Sequence, residues 1–202
     1  MFLDLARSLR FTLAGMLLCG VLYPTFIYGV GRVALPFQAG GSLVRRPDGS
    51  AIGSRLLAQG FTKPEYFHSR PSAVGHNAAS TGGSNLGPTN PDHLTAVATR
   101  VAGVRALEGV PTGPIPADAV TASGSGVDPH ISPAYAALQV ARVSRARHLT
   151  AERVRALVAS ATEGRFLGLL GRPRVNVLIL NLQLDRERSA GVTSGPAVEN
   201  RQ

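Results

Sequence analysis

Hydrophobic and polar positions divide this chain into two unequal parts. Residues 11–31, FTLAGMLLCGVLYPTFIYGVG, carry no charged side chain, whereas everything after Arg32 is polar, Gly/Pro-rich and Arg-bearing. As a helix rising about 1.5 Å per residue, such a run reaches across the ~30 Å hydrocarbon core of a bilayer. The pattern predicts a short cytoplasmic N-terminus over 1–10 and one membrane span over 11–35. A water-exposed domain over 36–185 and a flexible polar tail over 186–202 follow. A retained anchor is preferred to a cleaved signal, whose apolar core is shorter and ends at a small-x-small site. The exit Gly31-Arg32-Val33-Ala34-Leu35-Pro36-Phe37 offers no such site, and Leu18 stands before Cys19 where a lipoprotein signal needs a small residue. Pro24 sits mid-span, and Gly15, Gly20 and Gly29 are small enough to let another helix approach, so the span is expected to pack on partner helices.

Beyond the span the patterning is α+β. Ser42-Leu43-Val44, the turn residues Arg45–Ser50 with Asp48-Gly49, and Ala51-Ile52-Gly53 predict strand, turn, strand. A short helix is expected over 54–60, while Gly, Pro, Ser and Asn over 61–90 exclude long regular elements. Asn90, Ser132 and Thr150 are N-cap residues, the first two followed by proline at the first helical position. Leu94, Val97, Ala98, Val101 and Val104 stripe the first of these helices. Ala136, Val140 and Val143 stripe the second, with Arg142, Arg145 and Arg147 largely off that face, and Val154, Leu157, Val158 and Ala161 line the third, which ends at Gly164. Val175 to Leu182 is β-branched and mostly apolar and reads as a largely buried strand, the centre of a small sheet that includes residues 174–182. The expected domain is about three helices packed on a small sheet.

Charge changes this picture little. The formal net charge of +9 comes almost wholly from arginine, since Lys63 is the only lysine. An arginine excess suits anionic lipid or an acidic protein surface, and the codon bias of a GC-rich genome explains it equally well. No basic stretch interleaves with stacking rings, so nucleic acid is not an expected partner. The single cysteine, Cys19, lies in the span, which removes disulfides and cysteine metal sites from the domain. Arg7 and Arg10 before the span nearly balance Arg32, Arg45 and Arg46 after it. Charge therefore fixes orientation weakly, and the expectation is N-terminus inside, domain outside.

The chain lacks a G-x-x-x-x-G-K-[ST] loop, a phosphorylation Asp-Lys-Thr-Gly, H-E-x-x-H, G-x-S-x-G and a Thr-Val-Gly-Tyr-Gly filter. Two loops invite a functional reading. The first, Ser80 to Pro91, contains Gly82, Gly83, Ser84, Asn85, Leu86, Gly87 and Pro88 and leads into a helix N-terminus. A tight loop satisfying its own backbone is the simpler account. The second, Thr121 to Pro133, contains Ser123, Gly124, Ser125, Gly126, Asp128, Pro129 and His130. Ser123, Asp128 and His130 are the residue types of nucleophile, orienter and base, which makes an anchored extracytoplasmic hydrolase the alternative reading, to be judged by geometry. A metal held by His130, Asp128 and one of His68, His76 or His93 is a weaker alternative.

At these loops the chain resembles the small C subunit of the Kdp-type potassium-transporting P-type ATPase of bacteria and archaea. The matching pieces are Leu22-Tyr23-Pro24, Gly41-Ser42-Leu43-Val44, Ile52-Gly53-Ser54, Tyr66-Phe67-His68-Ser69-Arg70-Pro71-Ser72-Ala73 and Gly82 through Pro91. They continue with Val120 through Gly126, Asp128 through Pro133, Gln139-Val140-Ala141-Arg142-Val143 and Pro173 through Leu178, covering about residues 10–185. Val74-Gly75-His76-Asn77 departs from a tyrosine common in relatives, and 105–118 matches nothing particular.

The resemblance implies a non-catalytic accessory subunit in a bacterial inner membrane. Its partners would be a channel-like potassium subunit, a P-type ATPase subunit and a small single-span subunit. The loop residues named above become interface candidates. The resemblance also implies a catalytic chaperone that raises the ATPase subunit's affinity for ATP, with Gln139 as the matching glutamine and no tightly bound cofactor. ATP is cytoplasmic, so a domain on the outer face would not meet it directly.

Overall fold

The computed structural model describes residues 2–193, with side chains through residue 187. The chain forms two compact units, Met1–Ser54 and Arg55–Gln202.

In the first unit, helix α1 (Phe2–Leu17), a π turn (Leu18–Leu22) and helix α2 (Tyr23–Ala34) make one helical run of 33 residues. The run begins upstream of the uncharged stretch and takes in Asp4, Arg7 and Arg10. The π turn has a local cause. Pro24 has no N–H to give the Gly20 carbonyl, and its ring crowds that carbonyl. Widening the turn relieves both, with the Tyr23 N–H donating to the Leu18 oxygen five residues back. None of the run is buried by the rest of the chain. A Cβ added at Gly15, Gly20 or Gly29 would meet nothing within 4 Å.

A short helix α3 (Pro36–Ala39) leads to the antiparallel pair β1 (Leu43–Arg45) and β2 (Ala51–Ser54), with Leu43 opposite Ser54 and Val44 opposite Gly53. The turn between them is set as expected: Asp48 accepts the Ser50 N–H, and Gly49 takes the positive φ of 86°.

The second unit runs α4 (Pro91–Glu108), α5 (Ala117–Val120), β3 (His130–Ile131), α6 (Pro133–Arg147), α7 (Ala151–Ser160), β4 (Thr162–Glu163), β5 (Arg174–Asn176) and α8 (Val177–Thr193). The sheet order is β3-β5-β4, antiparallel throughout. Each expected cap is made: Asn90 accepts from the Asp92 and His93 amides, Ser132 from Tyr135, Thr150 from Arg153. Phe67, Ile131, Tyr135, Val140, Val143, Val154, Leu157, Val175, Leu180 and Leu184 form one core between helices and sheet. Each large apolar side chain buried there contributes roughly 1.5–3 kcal/mol.

Four expectations are corrected. No helix forms over 54–60, because the Ala58 amide is drawn to the Val127 carbonyl at 2.8 Å instead of a local partner. The third helix stops at Ser160, before Gly164, and Thr162–Glu163 pair with β5. The strand at 174–182 ends at Asn176, whose Oδ1 accepts the Ile179 N–H and starts α8. A short buried apolar run fits strand or helix equally well by periodicity, and the asparagine decides. Finally, Arg142 and Arg147 are not on a solvated face, with side chains only 5% and 4% exposed. Of the tail expected over 186–202, α8 continues through Thr193 and residues from 194 lie outside the described residues.

Candidate functional site

The irregular segment 64–76 organises the second unit. It has no strand partner, so its backbone groups must be satisfied otherwise. Side chains of α6 and α8 do this. Gln139 Oε1 accepts the His68 N–H at 2.7 Å, and its Nε2 donates to the His68 carbonyl at 3.1 Å. Asn181 repeats the arrangement one residue earlier, accepting the Phe67 N–H at 2.8 Å and donating to the Phe67 carbonyl at 3.0 Å. Two side-chain amides thus stand in for a neighbouring strand. Arg142 donates to the Pro64 and Tyr66 carbonyls, and Arg147 to the Glu65 carbonyl.

Arg142 completes its fork on Glu108 at 3.0 and 3.2 Å and on Gln139 Oε1 at 2.7 Å. Both charged side chains are almost fully enclosed. Burial pushes the Glu108 carboxyl above its ordinary value, against the downward pull of Arg142. Burial is also the main cause that lowers His68 and lifts the Tyr135 hydroxyl to about 12. No residue spacing connects Glu108 to Arg142, so this pair was not foreseeable. Asn181, the one polar residue within the apolar run 177–182, was the available signal for its clamp.

The far end of the same segment holds the two glycine-rich loops together. Ser72 Oγ donates to the Gly126 carbonyl at 2.6 Å and accepts from the Val74 and His76 amides. The Gly82 N–H donates to the Ser125 carbonyl at 2.9 Å, joining one loop to the other. Gly126 has φ +72°, and a Cβ there would lie 2.5 Å from Val74 Cγ2 and 2.7 Å from the Gly82 oxygen. At Gly83 the nearest atom to such a Cβ is the Gly124 oxygen, at 3.0 Å. Gly82, Gly83, Ser123, Gly126 and Pro129 are inside this contact or partly covered by it, while Ser84, Asn85, Leu86, Gly87, Pro88, Gly124 and Ser125 face outward.

The three residues of the hydrolase reading separate. Ser123 is buried, its Oγ within 3.2 Å of Ser125 Oγ and of the Gly126 N–H. Asp128 and His130 instead line an open cleft of about 630 Å³ with Arg70, Asp118, Arg172 and Arg174, and Ser123 is not on its wall. Within the cleft, Asp128 Oδ1 accepts the His130 N–H at 3.0 Å with His130 Nδ1 at 3.4 Å, and Arg70 lies 3.3 Å from Oδ2. Burial pushes the Asp128 carboxyl up, but the hydrogen bonds from His130 and the charges of His130 and Arg70 outweigh it, leaving the carboxyl below its ordinary value. Glu163 follows the same logic: burial raises it, and Arg55 and Arg174 bring it below. Asp118 spends both oxygens on Ser132, at 2.6 and 2.9 Å. Among the described residues, no group of three His, Cys, Asp or Glu side chains converges as metal ligands.

Gln139 is fully enclosed. Its oxygen already accepts two hydrogen bonds, and its nitrogen faces the His68 carbonyl.

The chain as a whole is similar to known proteins. The family model described as the c chain of the K+-transporting ATPase, KdpC, matches residues 5–186. The chain is 53% identical over 188 residues to the potassium-transporting ATPase KdpC subunit of Gemmatimonas aurantiaca, covering 92% of this chain and 94% of that one. It is 54% identical over 174 residues to the subunit of the same name from Sorangium cellulosum, covering 85% and 91%. It is 52% identical over 171 residues to that of Ralstonia nicotianae, covering 83% of each. With one long apolar N-terminal helix and a small α+β domain behind it, the chain belongs to the KdpC family of potassium-transporting ATPase subunits.

Proposed function

We propose that this chain is the single-span accessory subunit of an ATP-driven potassium uptake complex and that it works by contact. Its N-terminus lies in the cytoplasm of a bacterial cell, its span crosses the inner membrane, and its domain stands on the outer side. Its partners are the channel-like potassium subunit, the P-type ATPase subunit and a small single-span subunit. One observation carries this reading: the backbone of 64–76 and the two loops are held by the domain's own side chains, while the apolar helical run stays exposed along its length. Along the span, Gly29 floors an apolar groove lined by Val21, Leu22, Phe26, Val30 and Val33, a surface suited to a facing helix. On the domain, the outward rim Ser84–Pro88 with Gly124 and Ser125 is shaped by the interlocked glycines and is the docking candidate.

The catalytic-chaperone role then runs through the ATPase subunit. The enclosure of Gln139 supports a strut for His68 over a group that touches nucleotide. The test is detergent copurification of the subunits together with potassium-stimulated ATP hydrolysis, with and without this chain. Loss of assembly and activity without it is expected; normal assembly and transport would refute the proposal. A serine-reactive probe is expected to leave Ser123 unlabelled, and labelling abolished by Ser123→Ala would restore the hydrolase reading.

A further inference from the structure

Between β4 and β5 the chain projects a tight hairpin, Arg165-Phe166-Leu167-Gly168-Leu169-Leu170, followed by Gly171-Arg172. Its four large side chains are exposed, Phe166 by 69%, Leu167 by 79%, Leu169 by 80% and Leu170 by 63%. An apolar cluster of this kind in water marks a contact surface. From this hairpin we infer that the domain makes a second contact with the bilayer, the tip entering the interface of a leaflet that carries anionic lipid. The inference rests on the reading that the span holds the domain at a membrane.

Four observations favour lipid over a protein seat. First, all four side chains are exposed together around a narrow turn. A protein pocket covers one side of such a turn, whereas acyl chains wet all of it. Second, the tip has satisfied most of its backbone N–H groups internally. The Phe166 and Leu170 amides each donate to the other's carbonyl, at 2.8 and 3.0 Å, while Gly168 donates to Arg165 and Leu169 to Phe166 at 3.1 Å each. An apolar medium penalises unpaired amides, and here few remain. Third, Leu167 holds φ +51° beside Gly168 at +75°, a turn that favours Asn or Gly at its first central position. A leucine there keeps an apolar side chain at the tip at some cost in backbone strain. Fourth, residues 164–172 contain no acid and carry Arg165 and Arg172 at the two ends. A cleft of about 410 Å³ at the hairpin base is lined by Phe166, Leu170, Arg172 and Arg174 along with Glu163. Basic groups beside an apolar tip match a phosphodiester headgroup above its acyl chains.

The experiment uses the full chain, with Cys19→Ser and either Leu169→Cys or Leu167→Cys, assembled with its partner subunits in nanodiscs of phosphatidylethanolamine and phosphatidylglycerol. An environment-sensitive fluorophore on the cysteine is read with and without doxyl-labelled lipid. The exposed helix position Ala159→Cys is the control. Quenching by doxyl lipid at 167 or 169 at least about twofold above the control, reduced when phosphatidylcholine replaces phosphatidylglycerol, is the expected result. A blue-shifted probe that doxyl lipid does not quench would place the tip against a partner protein and overturn the inference. Water-like emission at both tip positions would overturn it as well. Copurification of the subunits is read in the same sample, so failure of the hairpin contact is distinguishable from failure of the accessory-subunit reading.

Discussion

The two units of this chain treat water in opposite ways. The helical run Phe2–Ala34 exposes Leu13, Met16, Leu17, Val21, Phe26 and Ile27 along its length and buries none of itself. The domain encloses the charged side chains of Glu108 and Arg142 and three amides, Gln139, Asn176 and Asn181. The exposed apolar surface of the run suits lipid and, on the proposed function, partner helices. Gln139, Asn181 and the Glu108–Arg142 pair already have their partners inside the domain. On the proposed function, this contrast fits a subunit that holds a shape at a membrane.

The enclosed polar cluster is the place to break that contrast hardest. Glu108→Ala removes one partner of a buried pair and leaves the Arg142 charge uncompensated, which costs about 3–5 kcal/mol. Denaturant unfolding of the detergent-solubilised chain reads the loss. Pairing it with Arg142→Met is expected to recover only part of that, because the Pro64 and Tyr66 carbonyls then lose their donors. Full recovery would show that the arginine matters only to Glu108.

Gln139→Leu comes next. It strands the His68 backbone groups, at roughly 1–3 kcal/mol for a buried unsatisfied group. The same variant sharpens the functional question: complexes that still assemble are expected to keep their KM for ATP, whereas a raised KM at unchanged stability would make Gln139 a nucleotide contact.

In the loops, Gly126→Ala drives a Cβ into Val74 and the Gly82 carbonyl and loses about 1–3 kcal/mol by overpacking, with added strain from the positive φ. Gly124→Ala, where a Cβ meets nothing within 4 Å, is the matched control and is expected to leave stability unchanged.

The smallest effect is on acidification. Asp128 and Glu163 both sit below their ordinary values of 3.8 and 4.5. The unfolded chain therefore binds more protons in that range, and stability falls as pH drops below about 4.5 through the folded-state titrations. Glu108, raised by burial, acts in the opposite direction, its carboxylate favouring the fold less as pH rises through its titration. Asp128→Asn is expected to flatten the acid limb of the unfolding midpoint plotted against pH.

Local signals carried much of this architecture. The span, the Asp48-Gly49 hairpin and the caps at Asn90, Ser132 and Thr150 stand where short-range chemistry puts them. The apolar run from Val175 misleads, because burial on all sides erases the periodicity that separates strand from helix, and only the Asn176 cap reveals the change. The polar cluster was illegible for another reason. Glu108 and Arg142 lie in different helices, and Arg142 is held by carbonyls of a loop far from it in sequence. Their meeting is a product of tertiary packing. The two glycine-rich loops were visible as tight loops; that they close on each other through Gly82 and Ser125 was not.

Sidedness tests the account most directly. In intact cells carrying the full chain with Cys19→Ser and Ala159→Cys, a maleimide that cannot cross the inner membrane is expected to label position 159 without permeabilisation. Labelling only after the inner membrane is opened would put the domain in the cytoplasm, within reach of ATP, and contradict a subunit that works by contact from the outer face.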